Sequence, residues 1–447
     1  MALKALDILK LLPQKRGCKE CGCPTCLAFA MKLAQKQARI DECPYVSDES
    51  KAALEGASAP PQKLVTIGAG ESKLQIGNET VMFRHEETFH HPPGIAVRVP
   101  DDLDADTLAA RVAAIGALKW VRVGMDIRAD AVAVENASCD AGRFKAAVQA
   151  ASKLDLPIVL IVERAAHAEA GLEVCADKKP LIHAARPDNW EEFAALAKEK
   201  GCPLAVRASD PEALAELTGK IKAAGVEDMV LDVTADGLSA TLQTLTKVRR
   251  LALKKGARDL GYPCMAVAAG DDVFQEVAQA ATYVAKYAGI VVTSLIKPEQ
   301  ILPLLTVRQN VFTDPRKPIQ VEPAVYEVGA ANPQSPVLIT TNFSLTYYTV
   351  EGEVEASRVP AYIGVVDTEG TSVLTAFASD KLTAEGVAAL LKSDAFKDKV
   401  SHKKVIIPGY IAAMSGALQD ESGWEVVVGP REASGIPKFL KTMWTAT

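Results

Sequence analysis

The stretch LIHAARPDNWEEFAALAKEKGCPLAVRA (181–208) decides the fold. Its ends, LIHAA and LAVRA, are short β-rich apolar runs, and the segment between them (189–200) is helical in character. Strand, helix and strand in succession make one βαβ unit. The same rhythm extends in both directions. Upstream, β-rich runs lie at IAVRV (95–99), WVRVGM (120–125) with AVAV (131–134), and IVLIV (158–162). Downstream they lie at MVLDV (229–233), CMAVA (264–268) and IVVTS (290–294). Helical segments at 104–116, 141–153, 210–224, 238–255 and 271–287 separate them. With 120–134 taken as one strand carrying an irregular extension, eight strands result, which fits a TIM (β/α)8 barrel over 94–307. The runs are continuous rather than alternating, as strands buried on both faces should be. An open doubly wound sheet is the alternative.

The chain has 447 residues, 49% of them hydrophobic and 24% charged, which predicts a multidomain globular protein. A net charge of -6 and the lack of a basic stripe argue against nucleic acid as a partner. Asp7 and Lys10 interrupt the apolar start, and no small-residue cleavage site follows it, so no secretory signal is read. No apolar run reaches about 18 residues, so no membrane span is expected. The expected location is cytoplasmic, where the nine cysteines should not form disulfides. Five fall within 18–43; Cys139, Cys175, Cys202 and Cys264 are scattered and read as ordinary buried thiols.

Residues 1–57 form a small Cys-rich unit. Leu3, Leu6, Leu9 and Leu12 recur at helical spacing up to Pro13, and a second helix is expected over 25–39. Residues 58–93 read as a linker with short strands at 64–67 and 80–84. It includes His85, His90 and His91, whose spacing fits neither a helix face nor a zinc pattern. After the barrel, 308–336 holds five prolines and reads as an extended connector. Residues 337–447 are again α/β, a Rossmann-like unit with strands expected at 337–341, 361–367, 373–378, 404–409 and 424–429, and helices at 383–393, 411–419 and 434–444.

The cysteines Cys18, Cys21, Cys26 and Cys43 are spaced C-x2-C-x4-C-x16-C. Iron–sulfur clusters take four thiolates, and the Cys43–Pro44 ending is common in ferredoxin-type loops. The reading is a 4Fe–4S cluster. Zinc is the alternative, but a second ligand pair would have to start at Cys43, and no ligand follows it. Cys23 is left as a neighbouring thiol, because four ligands within 18–26 would grip a cube under strain.

In the last unit, loops rich in small and hydroxyl residues follow the strands: TTNFSLTYYT (340–349), DTEGTSVLTA (367–376), PGYIAAMSGAL (408–418) and VGPREASGIP (428–437). Ligands of open α/β sheets bind beyond the carboxyl ends of strands, and such loops suit phosphate and amide groups. No G-x-G-x-x-G follows the first strand and no Walker A pattern occurs.

With these units in this order, the chain resembles the large (gamma) subunits of the corrinoid iron–sulfur proteins of acetogenic bacteria. The motifs that carry the resemblance are RGCKECGCPTCLAFAMKL (16–33), DECPYVSDESK (41–51), TTNFSLTYYTVEGEVE (340–355), EGTSVLTA (369–376) and PGYIAAMSGAL (408–418). It implies a methyl-transferring corrinoid subunit of a methyltransferase system in the reductive acetyl-CoA pathway. A 4Fe–4S cluster sits on the four cysteines, and a cobamide sits in the last domain. Methyl arrives from methyltetrahydrofolate by way of a methyltransferase and leaves to acetyl-CoA synthase/CO dehydrogenase. Cobalt cycles between Co(I) and methyl-Co(III), and the cluster reduces Co(II) formed by accident. The barrel packs on a similar barrel in a small subunit, giving a heterodimer. The residues carried over for cobamide contact are Thr340, Thr341, Thr346, Gly370, Thr371, Ser372, Val373, Gly409, Gly429 and Ala433.

Many B12 methyl carriers supply a lower-ligand histidine in D-x-H-x-x-G. None of the six histidines here, including His402 in the last domain, lies in that pattern. The protein should therefore supply no axial imidazole, which agrees with the resemblance: it implies a cobamide bound base-off with no histidine in its place, which favours Co(I). The alternatives are an iron–sulfur protein that activates another corrinoid enzyme, an archaeal-type carrier using a methanopterin donor, and a scaffold without redox function. The barrel mouth offers Glu135, Asn136, Glu163, Arg186, Asp188, Arg207 and Asp232 as candidates for a pterin or another substrate, with scaffold the favoured reading.

Overall fold

The computed structural model describes residues 5–13, 18–34, 38, 40–47, 50–51, 60–314, 318–397 and 399–444. The chain packs as two units, Met1–Lys119 with Arg128–Phe312, and Trp120–Ile127 with Thr313–Thr447.

At the N-terminus, helices Ala5–Leu11 and Cys26–Ala34 bury Ile8, Phe29 and Ala30 in a small core. Thr25 opens the second helix by accepting from Ala28 N at 3.1 Å. Leu3, and positions 35–37 and 39 of the expected second helix, lie outside the described residues.

The segment 58–93, expected as a linker, instead carries an antiparallel hairpin of β1 (Leu64–Ala69) and β2 (Ser72–Gly77). The hairpin alternates. Val65, Ile67, Leu74 and Ile76 face one side and pack with the barrel-lining residues Ala96, Val159, Leu181, Val230 and Ile290. The hairpin is tied to the chain before barrel strands, with Gly68 N donating to Lys179 O and Lys63 N to Gly261 O. It therefore plugs the N-terminal end of the barrel. The expected strand at 80–84 is a loop, in which Met82 N and Phe83 N donate to Glu86 Oε2.

Ten strands follow: β3 (Gly94–Pro100), β4 (Lys119–Arg122), β5 (Met125–Arg128), β6 (Ala131–Glu135), β7 (Ile158–Ile161), β8 (Leu181–Ala185), β9 (Leu204–Arg207), β10 (Met229–Asp232), β11 (Cys264–Val267) and β12 (Ala288–Thr293). β3 and β6–β12 close an eight-stranded parallel barrel, as the sequence rhythm predicts. Aspartates start the helices that return between strands. Asp104, Asp140, Asp210 and Asp272 each accept a hydrogen bond from an amide of the first turn they precede. Gly201 and Gly256 end helices in the left-handed conformation. Two helices the reading did not single out, Ala165–Cys175 and Pro298–Phe312, complete the ring.

The expected irregular extension over 120–134 is a separate hairpin, β4 with β5. Val123 and Gly124, both at positive φ, form its turn, and Trp120–Ile127 belongs by packing to the second unit.

In that unit β13 (Val325–Val328), β14 (Val337–Thr341), β15 (Ala361–Val366), β16 (Lys404–Ile407) and β17 (Glu425–Val428) form a sheet in the order β13-β15-β14-β16-β17. All neighbours are parallel except the β13–β15 pair. The expected connector 308–336 thus holds the end of a helix and an antiparallel edge strand. The expected strand 373–378 is the helix Val373–Ala378: a short apolar run has no period to distinguish the two states. The loop read at 340–349 runs into a helix, Ser344–Ser357. Among the described residues, no helix is long and apolar enough to cross a membrane.

Candidate functional site

The order of the second sheet places a site. From central β14 the chain moves to β15 on one side and then to β16 on the other, so the strand ends of β14 and β16 diverge. Crevices of open α/β sheets form at such switch points. A cleft of about 620 Å³, open to solvent in part, lies there. Thr340 from β14, Thr346 and Val350 from the following helix, Ile407 at the end of β16 with Pro408 after it, and Gly429 after β17 line it. Its floor is apolar, with Ile406, Ile436 and Phe439. An adjoining groove of about 750 Å³ shares Thr346, Val373 and Ala433 and adds Ser372, Leu374 and Glu432.

Six of the ten residues carried over for the cofactor meet at these two hollows: Thr340, Thr346, Ser372, Val373, Gly429 and Ala433. Gly409 sits behind the rim, where a Cβ would lie 2.6 Å from Gly429 O, so the glycine permits two loops to touch. Thr341 is wholly buried at the end of β14. Gly370 and Thr371 line neither hollow; they form the turn that leads into Ser372.

The hydroxyls of Thr340, Thr341 and Ser344 are buried and have no hydrogen-bond partner. An unpaired buried hydroxyl costs about 1–3 kcal/mol, and of the three only that of Thr340 lies on the cleft wall, where it points to a polar ligand. Ser344 starts the helix Ser344–Ser357, whose free amides add positive potential there. The sequence reading missed Tyr410, which lines both hollows and donates to Glu432 Oε1. That hydrogen bond, with the carboxylate's charge, raises the Tyr410 pKa. His402 does not line the cleft. Its Nε2 lies 2.9 Å from Ser335 O, and its Nδ1 accepts from Lys404 N.

In the N-terminal module Cys21, Cys23, Cys26 and Cys43 border one apolar cluster, with Cys23 and Cys43 buried and Cys18, Cys21 and Cys26 partly exposed. Tyr45 donates to Glu20 Oε1 at 2.7 Å. This hydrogen bond and the Glu20 charge raise the Tyr45 pKa. The donor set, thiols beside apolar packing, fits a thiolate-bound iron–sulfur cluster in its chemistry. Among the described residues, however, no three Cys, His, Asp or Glu side chains are arranged so as to hold a metal ion. Of the scattered cysteines, Cys139 is exposed, against expectation. Cys175, Cys202 and Cys264 are buried, and burial pushes their thiols up to about 12, 11 and 12.

The barrel-mouth candidates fall into separate hydrogen-bonded groups. Asp232 is met by His183 Nε2 at 2.9 Å, Arg207 Nη1 at 3.2 Å and Thr234 N at 3.0 Å. Burial opposes its charge, yet these partners bring its carboxyl down to about 2. Asn136 bridges Asp101 and His167. Glu163 pairs with Arg186 at 2.6 and 2.8 Å, and Glu135 with Arg98 at 3.6 Å. Asp188 is exposed.

Residues 64–440 match the family model described as "CO dehydrogenase/acetyl-CoA synthase delta subunit". Residues 12–45 match one described as "Putative Fe-S cluster". The corrinoid/iron-sulfur protein large subunit of Moorella thermoacetica is 47% identical over 99% of both chains. The acetyl-CoA decarbonylase/synthase complex subunit gamma of Methanothermobacter thermautotrophicus is 39% identical over 98% of this chain and 99% of that one. Among solved structures, dihydropteroate synthase from Thermus thermophilus aligns at 18% identity and a TM-score of 0.38, covering 50% of this chain and 94% of that one.

Proposed function

The chain belongs to the family of corrinoid/iron–sulfur protein large subunits, and from that premise we propose that it is the corrinoid methyl carrier of the reductive acetyl-CoA pathway. In this reading it takes methyl from methyltetrahydrofolate through a methyltransferase and passes it to acetyl-CoA synthase/CO dehydrogenase, as a transferase component paired with a small subunit. The observation that carries the reading is the cleft at the switch point of the second sheet, with the unpartnered buried hydroxyl of Thr340 on its wall.

A cobamide held there would supply a cobalt centre able to accept and release a methyl group, and a 4Fe–4S cluster on Cys18, Cys21, Cys26 and Cys43 would supply single electrons to restore it. The chain's own part is binding and exclusion. The Thr340 hydroxyl would donate to an amide or phosphate oxygen of the ligand. Ile406, Ile436 and Phe439 keep water from an apolar portion. Gly429 and Ser372 bring backbone to the walls of the two hollows. Described lining residues include no histidine, and His402 uses both ring nitrogens elsewhere, which supports a cofactor without protein imidazole.

The test is a visible spectrum and metal analysis of the chain purified anaerobically with its small subunit from a B12-replete host. Corrinoid and cluster bands together support the carrier. Cluster bands alone indicate a redox activator, and neither indicates a scaffold. Methyl transfer from methyltetrahydrofolate but not from a methanopterin donor separates the bacterial from the archaeal assignment.

A further inference from the structure

Asn342 follows β14 directly and is wholly buried. Its Oδ1 accepts three hydrogen bonds at 3.0 Å, from Thr368 N, Thr368 Oγ1 and Gly370 N. Its Nδ2 donates to Asp367 Oδ1 at 3.0 Å and Gln320 Oε1 at 3.2 Å. The orientation of the amide is fixed, because two backbone N–H groups face one end and only an oxygen can receive them.

The turn it holds is one that would not hold itself. Glu369 and Gly370 both have positive φ, 54° and 72°, and a non-glycine residue in that region carries a local cost. Gly370 also presses on the connector, since a Cβ there would lie 2.7 Å from Gln320 Cγ. Residues 319–321 run beside 342–344, with Val321 N donating to Asn342 O and Ser344 N to Ile319 O. One side chain thus joins three segments: the end of β14, the connector, and the turn that delivers Ser372 and Val373 to the groove.

We infer that Asn342 is the positioning residue of the cobamide site: it sets the 367–372 turn in its binding shape before any ligand arrives. This rests on the corrinoid reading above. Asn342 does not line either hollow, so its effect passes through the turn. A preformed turn spares the ligand the entropy of ordering it.

The test uses the full-length chain, freed of corrinoid and titrated anaerobically with cob(II)alamin, alongside amide hydrogen exchange at Thr368 and Gly370 without ligand. Asn342→Asp keeps the three accepted bonds but sets an oxygen against Asp367 and Gln320. It should weaken uptake by about 10- to 100-fold and speed exchange at both amides. Adding Asp367→Asn returns a donor to that contact at the expense of the bond that Asp367 Oδ1 accepts from Glu369 N at 3.0 Å, so the double variant should recover uptake and protection in part, by about 3-fold or more over Asn342→Asp. A residue serving only global stability would alter melting without this reciprocal rescue. Should Asn342→Asp not accumulate, Thr368→Val removes the hydroxyl that Asn342 Oδ1 shares with Thr371 O and should weaken uptake several-fold. Unchanged uptake in Asn342→Asp or in Thr368→Val, or no recovery in the swap, overturns the inference. Failure of the unmodified chain to take up cob(II)alamin overturns the corrinoid reading instead, and the exchange measurements still report on the clamp.

Discussion

Gly94, the first residue of barrel strand β3, lies so close against Leu74 of the plugging hairpin that a Cβ on Gly94 would overlap the Leu74 side chain. Gly94→Ala should therefore unseat the hairpin and lower stability by about 1–3 kcal/mol, the usual cost of overpacking. Leu74→Ala should cost about 2–4 kcal/mol through the void it leaves. In combination the costs should fall short of their sum, because the smaller residue 74 makes room for the new methyl. Urea denaturation of the four proteins measures the cycle, and strict additivity would speak against the contact.

Asp232 and His183 give the barrel an acid limb. The carboxyl's ordinary value of 3.8 falls to about 2 in the folded chain. A depressed carboxyl stabilises the fold above its unfolded value and loses that contribution as pH falls through the folded one. The loss, about 2 kcal/mol, should occur between about pH 4 and 2. Asp232→Asn should flatten that part of the pH–stability curve and cost about 3 kcal/mol at neutral pH, where His183 and Arg207 lose a buried partner. Chemical denaturation from pH 2.5 to 7 reads both effects; an unchanged acid limb in the variant would refute the assignment.

The turn of the β4–β5 hairpin makes a second tight contact. At Gly124 (φ 66°) a Cβ would overlap the Tyr348 hydroxyl. Gly124→Ala combines backbone strain with that overlap and should lower the melting temperature by several degrees. Tyr348→Ala in the same protein should return the steric part and leave the strain. Thermal scans followed by near-UV circular dichroism distinguish the two parts.

For the N-terminal thiols, replacement of Cys18 or Cys43 by Ala should abolish the iron–sulfur absorption of the anaerobically purified chain, and Cys23→Ala should retain it. Loss with Cys23→Ala and retention with Cys43→Ala would exchange the two cysteines' roles.

How much of this was legible beforehand depends on the range of the interactions involved. The eight barrel strands announce themselves because each is a run such as IVLI or LIHAA, buried on both faces and closed by a polar loop. The plugging hairpin is less visible, since Lys73 and Gln75 alternate with Leu74 and Ile76 over only six residues. Helix Ser344–Ser357 opens with Thr346, Tyr347, Tyr348, Thr349 and Val350, all weak helix formers. It forms because Tyr347 and Val354, two turns apart, both enter the core of the second unit. The hydroxyl-rich loops lie at the end of the sheet where the cleft opens. Asn342 lies inside one of them, but its partners at Gln320 and Asp367 are 22 and 25 residues away. No local pattern marks such a bond.

The short hairpin at Trp120–Ile127 packs with a body that otherwise begins near Thr313. The second unit is therefore discontinuous along the gene. A fragment started at residue 313 would lack eight of its own residues, and a fragment stopped there would leave the hairpin turn at Gly124 without Tyr348. One protease cut near 313 would not sever the two bodies, because two further peptide crossings flank the hairpin. Recombination that exchanges the C-terminal body between relatives must carry this small internal piece with it, or build a replacement.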